Sequence, residues 1–293
     1  MLFLVRSSII QSLLEDATMN RLPIEKRAQI VGLLVEGMSM RAITRTTGVS
    51  INTVTKLLEE VGLAAAFYQA QVMVNLPCKR VQCDEIWAFC YAKQKNVAPE
   101  HEGVLGYGDV YTWTAIDADT KLVPSYMVGK RDAEYATAFI ADLASRLANR
   151  VQLTTDGHKP YLEAVEQAFG RDIDYAMLVK MYGPSVTTDQ RRYSPAPFVS
   201  AEKRVITGSP DKEKVSTSYI ERQNLTMRMG MRRFTHLTNG FSKKVQNLEH
   251  AVALHFLHYN FACIHKTLRV TPAMEAGISD HVWSLEEIAR LVD

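Results

Sequence analysis

The order of strands and helices between residues 81 and 182 is the feature that most constrains the fold. Three apolar segments with strand character come first, and two helix-then-strand units follow. The predicted strands are 81–89, 108–116, 121–129, 151–155 and 172–182, and the predicted helices are 133–148 and 159–170. Strands that follow one another directly tend to pair antiparallel, whereas a strand–helix–strand crossover adds a parallel strand. The sequence therefore predicts an α/β fold with a mixed five-stranded sheet and helices on both faces.

The segments on either side of this region complete the predicted organisation. Residues 183–215, rich in Pro, Ser, Thr, Lys and Arg, are expected to form an inserted loop or irregular hairpin, and two more helices are predicted at 216–234 and 243–261. The predicted domains are an N-terminal extension at 1–20, a small helical domain at 21–63, a linker at 64–79, the α/β domain at 80–262 and a tail at 263–293. Met19 is an alternative translation start.

Residues 21–63 have the pattern of a small three-helix module. Ser39 and Ser50 are residue types that cap helix N-termini, and we expect them to begin the second and third helices. Gly48 permits a tight turn between these helices, and Gly62 is expected to end the third.

The spacing around the turn glycine favours a helix-turn-helix that binds DNA. A small residue, Thr44, lies four positions before Gly48, and an apolar one, Val54, lies six positions after it. The alternative is a plain three-helix packing unit without a nucleic-acid ligand. Polar side chains on the outward face of the third helix are the candidates to contact bases or phosphates: Asn52, Thr53, Thr55 and Lys56.

Three acids lie where the predicted sheet would bring them together. Asp84 is inside the first strand, Asp156 ends the fourth, and Glu221 is on the helix after the fifth. Taken singly, Asp84 also fits a solvent-facing strand acid, and Asp156 fits a turn cap. Together they suit magnesium, which prefers hard oxygen ligands, and two such ions can drive phosphoryl transfer. Because successive strand side chains face opposite sides, Asp84 and Glu85 are not expected to point into one site, and Glu85 is expected either to support the metal ligands from behind or to lie on the other face.

The helix that carries Glu221 also carries a polar and a basic residue. Asn224 and Arg228 follow Glu221 at i+3 and i+7, where a basic side chain can hold a scissile phosphate. No acid occurs between Glu221 and Glu249. The interval is either a solvated face or a track for DNA phosphates; its basic members are Arg222, Arg228, Arg232, Arg233, Lys243 and Lys244.

Composition excludes several other classes of protein. Of the 293 residues, 47 % are hydrophobic, which is typical of a globular chain. The net charge is only +2, so the overall charge gives no reason to expect a polyanionic partner. No apolar run approaches the roughly 20 residues that span a bilayer. No cleavage site marks a signal peptide, so we expect a cytoplasmic protein. The four cysteines lack the close pairs typical of structural zinc sites.

Three motifs resemble the DDE transposases of bacterial insertion sequences, in particular the insertion-sequence-one type. They are CDEIWAF (83–89), TTDGHKPY (154–161) and YIERQNLTMRMGMRRFTHLTNGFSKK (219–244), and the resemblance extends over roughly residues 80–265. The resemblance implies a ribonuclease-H-like fold for the α/β domain. The N-terminal zinc-binding segment common in that type has no cysteine framework here. Either end recognition would depend on the helix-turn-helix alone, or the chain would belong to a longer, divergent subgroup.

The resemblance also implies an activity. Asp84, Asp156 and Glu221 fall on the acidic triad of that family, and Arg228 falls on its basic position. The cofactor would be two magnesium ions, with manganese as the alternative. The chain would cleave and join DNA at the ends of an insertion sequence, as a homo-oligomer on DNA in the bacterial nucleoid, without a membrane or small-molecule partner. The rival hypotheses are a non-mobile nuclease of the same fold and an inactive or regulatory DNA-binding relative.

Overall fold

A computed structural model describes residues 21–183, 197–235 and 239–293. The predicted extension at 1–20 and the middle of the predicted loop at 183–215 lie outside these ranges. By spatial contact the described residues form two compact units. The first unit consists of the described residues within 1–73, 88–109 and 227–293, and the second of those within 74–87 and 110–226.

The predicted helices and strands follow one another in the predicted order, and the described residues add one strand and two short C-terminal helices. The helices are α1 (Ile24–Val35), α2 (Met40–Thr47), α3 (Ile51–Val72), α4 (Ala133–Arg146), α5 (Pro160–Phe169), α6 (Ser218–Gly230), α7 (Val245–Phe261), α8 (Pro272–Glu275) and α9 (Leu285–Arg290). The strands are β1 (Arg80–Cys90), β2 (Gly108–Asp117), β3 (Ser125–Gly129), β4 (Gln152–Thr155), β5 (Asp174–Tyr182) and β6 (Phe198–Thr207).

The caps predicted for the N-terminal module are confirmed. The Ser39 hydroxyl accepts a hydrogen bond from the backbone N–H of Ala42, and Ser50 accepts one from Thr53, both at 3.2 Å. Between α2 and α3, Gly48 adopts the left-handed conformation, with φ 73°. Side-chain capping and a left-handed glycine therefore fix the turn between these two helices.

The prediction that Gly62 ends the third helix is wrong, because α3 continues to Val72. The residues after Gly62 are Leu63 and three alanines, which are strong helix formers. A Cβ on Gly62 would lie 2.7 Å from Cα of His250 in α7, so this glycine allows α3 and α7 to approach closely. The predicted linker at 64–79 is thus partly helix.

The C-terminal helices pack on the N-terminal module within the first unit. Arg27 of α1 donates to the carbonyl of Ala289 in α9 at 3.0 Å, and its guanidinium lies 2.7 Å from the Asp293 carboxylate. The side-chain amide of Gln69 in α3 likewise donates to the Ala253 carbonyl of α7 at 3.2 Å. Residues of the predicted tail therefore help to hold the three N-terminal helices, while the predicted domain boundaries themselves stay a prediction.

The second unit contains a mixed sheet with the order β3-β2-β1-β4-β5-β6. β1, β4 and β5 are parallel, β2 and β3 pair antiparallel, and the first five strands have the order of a ribonuclease-H-like sheet. Trp113 of β2 contacts Phe139 of α4 and Tyr161 of α5, with ring centroids 5.9 and 5.5 Å apart. These buried aromatic side chains attach α4 and α5 to one face of the sheet.

The sheet has six strands rather than the predicted five. β6 lies in the segment predicted as a loop or irregular hairpin and pairs antiparallel with β5, with two irregularities in register. Nearly all its side chains are exposed, so it lacks the alternation of apolar and polar residues that marks a half-buried strand. That absence explains why the sequence pattern did not reveal it.

Candidate active site

Residues on one face of β1 position helix α6. The Gln82 side-chain oxygen accepts hydrogen bonds from the backbone N–H groups of Tyr219 at 2.9 Å and Ile220 at 3.1 Å, in the first turn of α6. Two residues further along β1, the Asp84 carboxylate accepts one from the Asn224 amide at 2.9 Å. A buried glutamine thus satisfies N–H groups that a helix start leaves unpaired, and sets the orientation of the helix that carries Glu221.

Strand register places the first two predicted acids side by side. Cys83 of β1 is opposite Thr155 of β4 in the parallel ladder, and these are the last paired residues of the two strands. Asp84 and Asp156 follow immediately. The Asp156 carboxylate accepts the backbone N–H of His158 at 2.9 Å, which holds the turn after β4.

Asp84, Asp156 and Glu221 line one open cavity of about 830 Å³. Arg131, after β3, and Lys180, near the end of β5, also line it. The cavity lies where the parallel strands end, the usual position of ligand sites in open α/β sheets. The structure therefore brings the three predicted acids to one cavity, together with two cations that the sequence interpretation missed.

The prediction that Asp84 and Glu85 do not point into one site is wrong. Carboxylate oxygens of Asp84, Glu85 and Asp156 lie within 4.8 Å of one another. The two side chains of β1 do begin on opposite faces, but β4 ends at Thr155, and beyond that residue it no longer separates the faces. Both carboxylates can therefore approach Asp156 from either side of β1.

Glu85 is buried in a partly charged environment. Its side chain is 1 % exposed, and one carboxylate oxygen lies 3.2 Å from Nε of Arg131 and 3.6 Å from Nε2 of His158. Its other oxygen, Oε2, is buried without a hydrogen-bond partner. Burial and the charge of Asp156 raise the pKa of Glu85 to about 8, against the opposing effect of Arg131. Burial lowers the pKa of His158, which favours its neutral form.

The crowding of carboxylates also affects Asp84. Burial, followed by the charge of Asp156, raises the pKa of Asp84 to about 6, and Glu221 contributes in the same direction. Close carboxylates disfavour one another's ionisation unless cations compensate them. The electrostatics of the cavity thus favour a cationic ligand.

Glu221 stands apart from the three clustered carboxylates. It accepts hydrogen bonds from the Lys180 ammonium and the Thr217 hydroxyl, and its side chain is 43 % exposed. Its predicted role as a metal ligand stays a prediction. Asn224, predicted to contact DNA, is instead buried and bonded to Asp84, and Arg228 is exposed on the last turn of the same helix.

The donor set fits a hard divalent cation. Magnesium and manganese prefer carboxylate oxygens, and three acidic side chains supply them within a small volume. The unpartnered Oε2 of Glu85 is a buried acceptor that a cation would satisfy. Arg131 and Lys180 contact acids of the cavity and are the positive groups with which a metal would compete.

The remaining predicted DNA contacts have mixed environments. On α3, Asn52, Thr53 and Lys56 are exposed as predicted, whereas Thr55 is half-buried and donates to the Ile51 carbonyl at 2.8 Å. In the basic interval, the basic side chains exposed to solvent are Arg222, Arg228, Arg232, Lys243 and Lys244. Arg233 is half-buried and donates to the Ser242 hydroxyl at 2.6 Å.

Two missed residues left a signal in the sequence. Lys180 interrupts an apolar run near the carboxyl end of β5, and Arg131 lies two residues after the end of β3. Charged residues at such positions are candidates for a site at the strand ends.

Among the described residues, no helix is both long enough and apolar enough to cross a bilayer.

Part of the chain is similar to a known family of domains. Residues 105–184 match the model of a DDE domain of the IS240 type of transposase, a segment that includes Asp156 but neither Asp84 nor Glu221. No curated protein matches the chain.

Several solved structures have weak similarity to the chain. A piggyBac transposase synaptic complex with hairpin DNA is 11 % identical, with a TM-score of 0.40, over 91 % of this chain and 68 % of that one. A Mos1 strand transfer complex is 12 % identical, with a TM-score of 0.24, over 82 % and 77 % of the two chains. A pre-cleavage Mos1 transpososome is 12 % identical, with a TM-score of 0.22, over 54 % and 60 %.

Proposed function

We propose that this chain is a DDE transposase that cleaves and joins DNA at the ends of an insertion sequence. The observation that carries the proposal is the position of Asp84 and Asp156 directly after the last paired residues of two adjacent parallel strands, in a cavity that Glu221 also lines. The match of residues 105–184 to a DDE domain supports the same class. The insertion-sequence-one subtype depends on the motif resemblance alone, so the proposal is made for the broader class.

Asp84, Asp156 and Glu221 would hold two magnesium ions, with manganese as the alternative, and Glu85 lies close enough to contribute a further oxygen. When bound, such ions activate the attacking oxygen and stabilise the leaving oxygen in phosphoryl transfer. The basic residues Arg131 and Lys180 would be released from their ion pairs with the acids and would then be free to bind DNA phosphates.

The reaction has two transfers without a covalent protein intermediate. Water attacks a phosphodiester at the element's end, the bond from phosphorus to the 3′ oxygen breaks, and a 3′ hydroxyl is released. That hydroxyl attacks a phosphodiester of the target DNA and displaces a second 3′ oxygen, which joins the two strands. The exposed residues of α3 and the exposed basic side chains after Glu221, Arg228 among them, would bind the DNA, with the chain acting as a homo-oligomer in the bacterial nucleoid.

A strand-transfer assay with magnesium tests the proposal. Asp156→Asn should abolish both cleavage and joining while DNA binding is retained, because the substitution removes a ligand charge and leaves the binding surfaces unchanged. The matched control is Asp172→Asn, since Asp172 is an acid whose side chain is 84 % exposed and pairs with Arg150. Full activity of the Asp156 variant would remove this residue from the site and contradict the proposal.

A further inference from the structure

His158, in the turn between β4 and α5, contacts two acids of the candidate site from one position. Its backbone N–H donates to the Asp156 carboxylate at 2.9 Å. Its side-chain Nε2 lies 3.6 Å from a carboxylate oxygen of Glu85. Two acids that come from neighbouring strands therefore share one neighbour, and no step of the proposed reaction uses its imidazole.

The imidazole ring is held in place by two aromatic side chains of the core. Trp113 of β2 and Tyr161 of α5 are fully buried, and their ring centroids lie 5.8 and 6.0 Å from that of His158. The Tyr161 ring stands at 88° to the imidazole, which is the favoured edge-to-face arrangement. Trp113 is itself fixed, because its indole N–H donates to the Lys130 carbonyl at 3.0 Å. The core therefore sets the direction in which the ring nitrogens point.

The polar atoms on the two sides of the gap between His158 and Glu85 lack partners. Nε2 of His158 is buried without a hydrogen-bond partner among the described residues, and so is Oε2 of Glu85. A buried donor or acceptor that stays unpaired is costly. A small movement that closes the 3.6 Å gap would therefore be favourable.

The geometry suits support of Glu85 rather than direct metal binding by His158. The ligand atoms that lie within 4.8 Å of one another belong to Asp84, Glu85 and Asp156, and no ring nitrogen of His158 is among them. Arg131, 3.2 Å from the same Glu85 oxygen, is a group with which a cation would compete. A neutral imidazole can donate one N–H, so it can orient a carboxylate without repelling a cation.

We infer that His158 is a positioning residue of the metal centre, whose Nε2–H donates to Glu85 and orients that carboxylate as a further acidic ligand. Groups that hydrogen-bond to metal ligands from behind fix the orientation of those ligands, and their loss commonly costs 10–100-fold in metal affinity. The inference depends on the metal centre of the proposed function. It adds a side chain that acts through Glu85.

Three substitutions of His158 separate the hydrogen bond from packing. His158→Phe keeps an aromatic ring without an N–H, His158→Gln places an amide N–H at about the reach of Nε2, and His158→Asn places one at about the reach of Nδ1. All three keep the backbone N–H that Asp156 accepts. Binding of Mn²⁺ alone to the full chain, followed by electron paramagnetic resonance, is the readout. The Phe and Asn variants should bind about ten-fold more weakly than wild type, and the Gln variant should bind nearly as wild type does.

A second background tests whether His158 acts through Glu85. In a Glu85→Gln chain, His158→Phe should cause no further loss of Mn²⁺ affinity, because no carboxylate is left to orient. The control is His281→Phe, since His281 is an exposed histidine that does not line the cavity, and it should bind as wild type does. Melting temperatures in EDTA report whether each variant folds. If His158→Phe does not fold, tighter binding by the Gln than by the Asn variant supports the inference, and equal binding overturns it.

The remaining outcomes separate this inference from the proposed function. Equal Mn²⁺ affinity in wild type and His158→Phe, or a loss that persists in the Glu85→Gln background, would overturn the positioning role. Direct coupling of an imidazole ¹⁴N to Mn²⁺ in pulsed electron paramagnetic resonance, lost in the His158 variants, would make His158 a ligand and would also overturn it. No Mn²⁺ bound by wild type would contradict the metal centre and the inference together, whereas ions that bind equally with and without the imidazole would contradict the inference alone.

Discussion

The Asn224 amide donates a hydrogen bond to the Asp84 carboxylate at 2.9 Å and thereby joins the helix of Glu221 to the strand of Asp84. Asn224→Ala should lower the free energy of unfolding by about 1–3 kcal/mol, because it removes the partner of a partly buried carboxylate. It should also reduce strand transfer, since Asp84 loses a group that orients it. Urea unfolding and a strand-transfer assay measure the two effects. For the unfolding measurement the control is Arg222→Ala, an exposed residue of the same helix, and an equal free energy of unfolding for the two variants would contradict the expectation.

The raised pKa values predict how stability depends on pH without metal. The pKa of Glu85 is about 8 in the folded chain, against about 4.3 in an unfolded one. The folded state therefore binds the extra proton between these values, and stability falls as pH rises from about 4 to 8. Glu85→Gln should remove this loss. In EDTA, the free energy of unfolding of the variant, measured relative to wild type, should rise by at least about 1 kcal/mol from pH 5 to pH 8.5. One pKa unit corresponds to about 1.4 kcal/mol.

One of the two exposed glutamates of α5, Glu163, provides the control for this pH series. Glu163→Gln should keep the wild-type pH dependence. Thermal melts followed by circular dichroism at several pH values give the comparison. A stability difference between Glu85→Gln and wild type that is constant across the series would mean that Glu85 does not take up a proton in this range.

Arg131 should compete with metal for the carboxylates. Its guanidinium lies 3.2 Å from Glu85 and 3.7 Å from Asp156. Arg131→Gln leaves these negative charges uncompensated, so we expect lower stability in EDTA and about ten-fold tighter binding of Mn²⁺, the effect of roughly one pKa unit of neighbouring charge. Calorimetry measures the affinity. Arg150→Gln, which disrupts ion pairs with Asp172 and Asp174, should leave it unchanged.

The close approach of α3 and α7 predicts an unusual cost for adding a methyl group to a helix. Gly62→Ala should destabilise the chain by about 1–3 kcal/mol, because the new Cβ would lie 2.7–2.8 Å from backbone atoms of His250. In a helix without such a contact, the same change would stabilise by about 1 kcal/mol. Gly32→Ala is the matched variant: its Cβ meets only the end of the Leu285 side chain, which can move. Equal effects in urea unfolding would contradict this packing.

The parts of the fold that repeat a simple pattern could be predicted from the sequence. The buried strands β1, β2, β4 and β5 are apolar runs, and the Ser39 and Ser50 caps follow from side-chain chemistry. The exposed strand β6 could not be predicted, because its sequence has no buried face. Glycine often ends a helix, so Gly62 suggested a helix end. Only the close approach of α7 shows that this position needs a residue without a Cβ.

The candidate site could be predicted only in part. The sequence identified Asp84 and Asp156, because acids are unusual next to apolar strands. The rule that successive side chains face opposite sides gave the wrong result for Glu85. The rule separates two side chains only where the neighbouring strand continues beside them, and β4 ends at Thr155, before Asp156. The contacts of Arg131 and Lys180 with acids distant in the sequence depend on tertiary structure alone.

Binding of Mn²⁺ to the full chain, followed by electron paramagnetic resonance, tests most directly whether these acids form a metal site. Wild type should bind two ions per chain, and Asp84→Asn, Asp156→Asn and Glu221→Gln should each lose at least one of them. Asp172→Asn should bind as wild type does, because its exposed side chain is outside the cavity. Two ions retained in all three variants, or none bound in wild type, would contradict a metal centre at this position.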